Sequence, residues 1–499
     1  MKRILCTAAL VLASTALAEL QSVQAGGEIR IRGRFWNDNY SNAIAGPATP
    51  RYVGYSFANR PLGPFGLNSR FDFDSAGNDL AFVEHRTRLN VKADFTSDVS
   101  AFAEFESYDL WGQSFRSNVI SGADRAAANG SADLYQAYIE TRKTFGLPLR
   151  ARLGRQEMRL GKGWLVDDIA TAIIGRSFDG VRLTWTPADF EVDAWWMKLN
   201  ETIAGDEDLD FYGVYGTWKG LDSVKLSLYW MLVRDGNEPV DTTLGPAGEW
   251  FESLLGLDDY RASWQHTAGA RIWGSHGAFD YDWEIAYQFG NADHVGGLFT
   301  PVTYGDTDAD YGNFATDLEV GYTLDMAWNP RIYVGGAWFQ GEDNREFRWE
   351  DVLFPGEGRA SVSFNRLFPG TPYSLNLGIT QELSNFWQIR AGATAKPTEK
   401  ITLGAKVAYF EIDEPFETPV LFFYPAWTRP NDKELGWTTF LMAKYQYSAD
   451  LSLALVWEHL FVGDGLEQGH FFARNGLELV AGTDNDDADY IHFDLQLKF

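Results

Sequence analysis

The last twelve residues, Ala488-Asp-Tyr-Ile-His-Phe-Asp-Leu-Gln-Leu-Lys-Phe499, alternate without a break. Ile491, Phe493, Leu495, Leu497 and Phe499 fall on one face, and Tyr490, His492, Asp494, Gln496 and Lys498 on the other. A period of two belongs to a strand with one side in an apolar medium and the other in a polar one. A strand of this kind that ends on an aromatic residue is the closing strand expected of an outer-membrane β-barrel.

The other end of the chain fits an exported protein. Lys2 and Arg3 form a basic start, Ile4 to Ala18 an apolar run, and Val23-Gln-Ala25 a small-residue cleavage signal. The run is too short to span a bilayer and reads as a secretory leader. The expected division is therefore a signal peptide over residues 1–25 and one barrel domain over 26–499, with a cut after Ala18 as the rival. The only cysteine, Cys6, lies in the leader. The remainder cannot form a disulfide, a thiolate zinc site or a covalent haem attachment.

No later segment approaches eighteen uninterrupted apolar residues, so a closed barrel is the remaining way to satisfy every backbone group in lipid. The chain is 45% hydrophobic and 15% aromatic with 49 glycines, yet its mean hydropathy is negative. Barrel strands give only half their residues to lipid, which reconciles the two. Alternating segments occur at about residues 28–36, 82–95, 98–108, 133–143, 149–158, 178–186, 190–199, 211–219, 223–234, 264–273, 278–289, 313–327, 330–340, 384–395, 400–411, 434–447, 449–461 and 488–499. Short connections alternate with long ones, the pattern of periplasmic turns and external loops. The expected fold is all-β: a single transmembrane antiparallel barrel of about eighteen strands, with a soluble sandwich as the alternative.

Charged side chains on the lipid face cost about 2–4 kcal/mol each near the midplane, which fixes the phase of each strand. Ile29, Ile31 and Phe35 then point out, and Arg30, Arg32 and Arg34 point in. The same reasoning turns Arg86, Arg88, Arg150, Arg152, Arg182, Arg390 and Lys406 inward, with Glu104, Glu106 and Glu140 beside them. The predicted lumen is an arginine ladder with carboxylate partners. The whole chain carries −27, and the leader carries +1 from Lys2, Arg3 and Glu19, which leaves −28. Residues 26–200 are balanced, so the acid excess lies in 201–499. The acidic runs 306–310 and 484–489 fall in expected loops and lack a full calcium-loop motif. The seven histidines are scattered, and no nucleophile elbow, zinc-helix or phosphate-loop motif is present. A non-enzymatic protein without cofactor or metal is expected.

The stretch Asp133-Leu-Tyr-Gln-Ala-Tyr-Ile-Glu140 is followed by Leu153-Gly-Arg-Gln-Glu-Met-Arg-Leu-Gly-Lys-Gly-Trp-Leu-Val166 and Gly175-Arg-Ser-Phe-Asp-Gly-Val-Arg-Leu183. This region resembles the bacterial alginate export family of outer-membrane barrels, as do Arg86-Thr-Arg-Leu-Asn90, Tyr108-Asp-Leu-Trp-Gly112, Glu434-Leu-Gly436 and Val462-Gly-Asp-Gly465. The resemblance implies an eighteen-stranded barrel that passes a polyuronate through an arginine-rich constriction gated by loops. Carried over by residue, it adds Arg155, Gln156, Arg176 and Asp179 to the candidates for lining the pore or contacting solute. The alternative role for these residues is stitching the wall.

Strict alternation sets Arg155 out of phase with Arg150 and Arg152, and a bulge near Gly154 would bring it inward. The loop 159–177 is expected to dip into the lumen, pinned by Asp179 pairing with Arg155 or Arg176. The functions expected are a channel for anionic or sugar-like solutes, with export of an alginate-type polysaccharide among them, or a barrel sleeve around a periplasmic partner such as a multihaem cytochrome. The expected location is the bacterial outer membrane. Expected partners are outer-membrane lipids and lipopolysaccharide, the barrel-assembly machinery, and periplasmic export or electron-transfer components, with no nucleic acid.

Overall fold

The computed structural model describes residues 20–37, 80–95, 98–111, 132–169, 174–201, 208–221, 223–236, 263–291, 310–341, 361–370, 372–377, 383–414, 418–419, 428–429, 432–467, 471–474, 477–480 and 486–499. Residues 1–19 of the expected leader 1–25 lie outside them, as do most of the acidic run 306–310 and the first two residues of the run 484–489.

Alternation produces strands wherever it was expected. They are β1 (Ser22–Asn37), β2 (Leu80–Asp94), β3 (Val99–Leu110), β4 (Ala132–Thr141), β5 (Leu149–Gln156) and β6 (Phe178–Trp185). Then come β7 (Phe190–Asn200), β8 (Leu209–Trp218), β9 (Lys225–Asp235), β10 (Ser263–His276), β11 (Phe279–Asn291) and β12 (Asp310–Thr323). The last six are β13 (Arg331–Phe339), β14 (Phe386–Thr398), β15 (Ile401–Ile412), β16 (Glu434–Gln446), β17 (Leu451–Val462) and β18 (Ala488–Lys498). Each is antiparallel to the next, and β18 returns to β1 from Glu28↔Lys498 to Asn37↔Asp489. The main sheet has nineteen members, one of which is the two-residue Ser361–Val362 lying parallel to β12. The other eighteen close the barrel.

Leu89, Val91, Ile139, Leu153, Leu183, Leu228, Val334, Ile389, Leu455 and Phe493 are exposed on the outer face. So large an apolar surface has no place in water and fits acyl chains. Two aromatic bands bound it. Phe145, Trp185, Phe190, Phe279, Tyr322, Trp328, Tyr445 and Phe499 lie toward the short turns, and Trp196, Trp264, Phe289, Phe314, Trp437 and Phe461 toward the long connections. Amphipathic rings at two levels mark the two interfaces of a bilayer. Among the described residues no helix is long and apolar enough to cross a membrane.

The first strand starts six residues earlier than its side chains suggested. Ser22 to Ala25 already pair with Asp94 to Val91. At the seam, Gly27 and Phe499 exchange backbone hydrogen bonds of 2.9 and 3.1 Å. A Cβ on Gly27 would stand 2.4 Å from the Arg88 carbonyl oxygen and 2.8 Å from the Phe499 ring. Glycine is therefore what lets the terminal ring lie against β1.

Candidate functional site

The inner face of β1 puts Arg30 directly opposite Arg86, and that of β5 puts Arg152 opposite Arg182. Like charges in direct register repel. Each is relieved by a carboxylate on a neighbouring strand. Arg30 and Arg32 both bring Nη2 within 2.6 Å of Asp494 Oδ2 on β18. Arg34 pairs with Glu84 at 2.7 Å. Arg86 pairs with Glu28, which the Gln496 amide also holds at 2.8 Å. Arg152 reaches Glu140 at 2.8 Å, and Arg182 grips Asp193 with two parallel bonds of 3.0 and 2.8 Å. Across the barrel Arg390 meets Asp317 and Glu319, and Arg331 meets Asp280 and Glu319. The ladder is thus largely neutralised in place. Arg150 differs: among the described residues its side chain has one hydrogen bond, to the Thr184 hydroxyl at 3.1 Å.

The other side of the lumen is filled by the chain itself. Residues 157–169, after β5, and, of the stretch 361–377 between β13 and β14, the described residues 363–370 and 372–377 fold inside the barrel. Met158, Leu160, Trp164, Leu165 and Val166 are buried with Phe364, Leu367, Tyr373 and Leu377 against inner-face Phe211, Phe339 and Phe386. Trp164 lies 5.7 Å from Phe339, and Phe368 lies 5.1 Å from Phe211 and 5.2 Å from Phe178. Burying each such side chain is worth about 1.5–3 kcal/mol, enough to seat both segments firmly.

The segments are also joined to each other. Phe368 N–H donates to Leu165 O at 2.9 Å, Asp167 N–H to Phe368 O at 2.9 Å, and Gly370 N–H to Gly163 O at 3.0 Å. The Asp167 carboxylate fills the space a Cβ would need at Gly163 and at Gly370. Gly163 also has φ +79°, so both demands select glycine there.

Polar contacts tie the pair to the wall. Lys162 reaches Asp317 at 2.7 Å. The Trp164 indole donates to the Tyr373 hydroxyl at 3.0 Å, which donates to Asp317 at 2.7 Å. Glu157 accepts from Tyr135 at 2.6 Å and from Arg88 at 3.2 Å, and the Arg88 guanidinium lies 3.9 Å over the Tyr135 ring. Burial, the largest influence, holds the Glu157 carboxyl above its usual range. Burial, then the contact with Asp168, raises Asp167 to about 7, against the pull of Arg159.

The family-derived residues divide. Arg176 donates to the carbonyls of Asp167 and Pro369, both at 3.3 Å, and so clamps the two inserted segments together. Gln156 is fully buried and donates to wall carbonyls of Arg152, Gly154 and Gly180. Arg155 and Asp179 pair through two bonds of 2.7 Å, as one option required, but on the outer face that carries Leu153 and Leu183. They neither line the lumen nor pin the loop.

The bulge expected near Gly154 is absent. The β5–β6 register runs unbroken from Leu149↔Trp185 to Gln156↔Phe178. The irregularity lies one strand away, where the β3–β4 register slips between Glu104 and Phe105 and leaves Tyr135 unpaired and buried. That one extra residue swings Tyr135 against Arg88. The roles of Glu157, Lys162, Tyr373 and Glu458, and the whole segment 361–377, escaped the sequence reading. The available signal was the apolar density of that supposed loop, with Phe364, Leu367, Phe368, Tyr373, Leu375 and Leu377 within fourteen residues.

Three solved structures share this architecture. OpdQ of Pseudomonas aeruginosa superposes with a TM-score of 0.50 at 10% identity, over 96% of this chain and 97% of that one. OccAB4 of Acinetobacter baumannii gives 0.50 at 11% identity, over 97% and 100%. OccAB1 of the same organism gives 0.50 at 12% identity, over 95% and 96%. At such identities the likeness is one of fold. A comparison with curated proteins returns no match. The family profile described as alginate export matches residues 63–470, more than four-fifths of the sequence. With the closed barrel, that match points to a channel in the outer membrane, and the chain belongs to the alginate export family.

Proposed function

We propose that the barrel passes anionic or sugar-like solutes along the wall formed by β1 to β6, beside the inserted segments. The observation that carries this is the file of inner-face arginines, Arg30, Arg32, Arg34, Arg86, Arg88, Arg150, Arg152 and Arg182, which runs beside the apolar fill and meets the inserted segment at Arg88 through Glu157. A guanidinium already bonded to a carboxylate can exchange it for the carboxylate of a solute with little change in desolvation, because the two bonds are alike. Asn90, Gln136, Tyr108 and Tyr138 stand among these groups and can meet sugar hydroxyls. A uronate oligosaccharide carries both functions and is the solute class that fits. The sleeve alternative is less well supported, since this chain's own segments occupy space that a threaded partner would need.

The test is conductance of the purified barrel in planar bilayers under a salt gradient. Reversal potentials should show a modest anion preference at low salt that fades as screening rises. Added uronate oligosaccharide should interrupt the current. A barrel that stays closed under all conditions, or conducts with no response to oligouronate, would overturn the proposal.

A further inference from the structure

Four donors converge on one oxygen of one buried carboxylate. Glu458, on the inner face of β17, is fully buried. Its Oε1 accepts from the Ser374 hydroxyl at 2.7 Å, the Leu375 N–H at 2.7 Å, the Asn376 N–H at 3.0 Å and the Asn376 side-chain amide at 3.4 Å. The Asn376 amide also reaches the Glu458 backbone carbonyl at 3.3 Å, and the Ser374 hydroxyl accepts the Leu377 N–H at 3.0 Å. Successive N–H groups aimed at one point form a nest, a backbone shape that selects anions. The contact is only half made. Glu458 Oε2 is buried and has no hydrogen-bond partner among the described residues. Beside it, Lys406 donates to the Tyr373 carbonyl at 2.8 Å, on the same short segment.

We propose that residues 373–377 are a carboxylate-binding nest which Glu458 occupies, and that this contact latches the inserted segment 361–377 in the lumen until a solute carboxylate takes Glu458's place. The inference rests on the channel reading and adds what opens it. Charge-assisted bonds make the latch strong. The unmatched Oε2 keeps the closed state from being the best available home for the segment, since a buried carboxyl oxygen without a hydrogen bond is costly. A small carboxylate with access to water on its second oxygen satisfies the nest without that penalty. The latch is thus built to be displaced by the chemistry the channel would carry.

The test uses the full chain with Cys6→Ser and a label site at Leu375→Cys, whose backbone N–H is retained. Modification by a water-soluble thiol reagent and bilayer conductance are read together. Glu458→Gln and Glu458→Ala should each speed modification about tenfold, the scale of losing a hydrogen bond to a charged group, and raise conductance. Sodium acetate should speed modification in the parent protein, because it takes Glu458's place in the nest, and should leave it unchanged in Glu458→Ala, which has no latch left to displace. If the Glu458 variants fail to assemble, Ser374→Ala and Asn376→Ala loosen the latch from the segment side and should give the same acceleration. Unchanged modification in any assembled variant of this set overturns the latch. Acceleration in the Glu458 variants with no acetate response in the parent protein overturns the carboxylate nest. Acceleration in the variants and by acetate in the parent protein, in a barrel that never conducts, support the latch while failing the channel reading, so the two are told apart.

Discussion

Arg150 and Arg86 share an inner face but have different partners. Arg86 is buried against Glu28, whereas Arg150 has the Thr184 hydroxyl. The ladder as a whole is therefore a weak source of net field, and Arg150 is its strongest contributor of uncompensated charge. Arg150→Ala should lower the anion-to-cation permeability ratio roughly twofold at low salt with little change in stability, read from reversal potentials. Arg86→Met leaves the Glu28 carboxylate short of its cation and should cost about 3–5 kcal/mol, read as a lower urea midpoint. Equal effects of the two on selectivity would contradict this division.

Asp167 makes a different prediction at the same scale. Its carboxyl is raised from 3.8 to about 7, chiefly by burial. An acid with a raised value binds more protons when docked than when free, so docking is strongest below about pH 4, weakens as pH rises to 7 and is flat beyond. Thiol modification at Leu375→Cys, taken relative to a free thiol at the same pH, should accelerate between about pH 5 and 7 and level off above. Asp167→Asn should flatten the profile, whereas a slope that persists in it would place the proton elsewhere.

At the scale of the element, the strands were legible because lipid enforces a period of two and penalises every slip. Seventeen strand starts lie within three residues of the alternation reading, and β1 shows why one did not. Gly26 and Gly27 have no side chains to declare a face, so the pattern becomes visible only from Glu28. Arg155 shows the opposite error: the alternation placed it outside correctly, and only the motif argument drew it inward. The extra residue at Tyr135 and the inserted segment 361–377 were hidden for a shared reason. Both are set by a partner on another part of the chain, Arg88 two strands away in one case and Glu458 in the other, and local periodicity carries no trace of a distant partner.

The early start of β1 also bears on the leader. A cut after Ala25 removes four residues paired with β2, whereas a cut after Ala18 leaves the strand whole. We propose the latter. Intact mass of the protein purified from membranes should place Glu19 first, and a mass that begins at Gly26 would refute it.

At the scale of the molecule, one contact joins the two ends of the wall. Phe499 lies on Gly27, and the seam pairs β1 with β18. Gly27→Leu would drive a side chain into the ring and the Arg88 carbonyl. The heat-resistant, fast-migrating form on gels should fall severalfold, and Phe499→Ala in the same chain should restore part of it, since the steric conflict is relieved. No loss in Gly27→Leu would show that the seam tolerates displacement. The seam also sets a clock. Translation makes β1 early and β18 last, so the first strand waits for the whole length of synthesis and export with its outer edge unpaired. Contacts this distant along a chain form slowly, and an unpaired edge invites other chains. The pairing of β1 with β18 is thus what ends the exposure of the first strand's free edge, and the seam residues set how long that edge stays open.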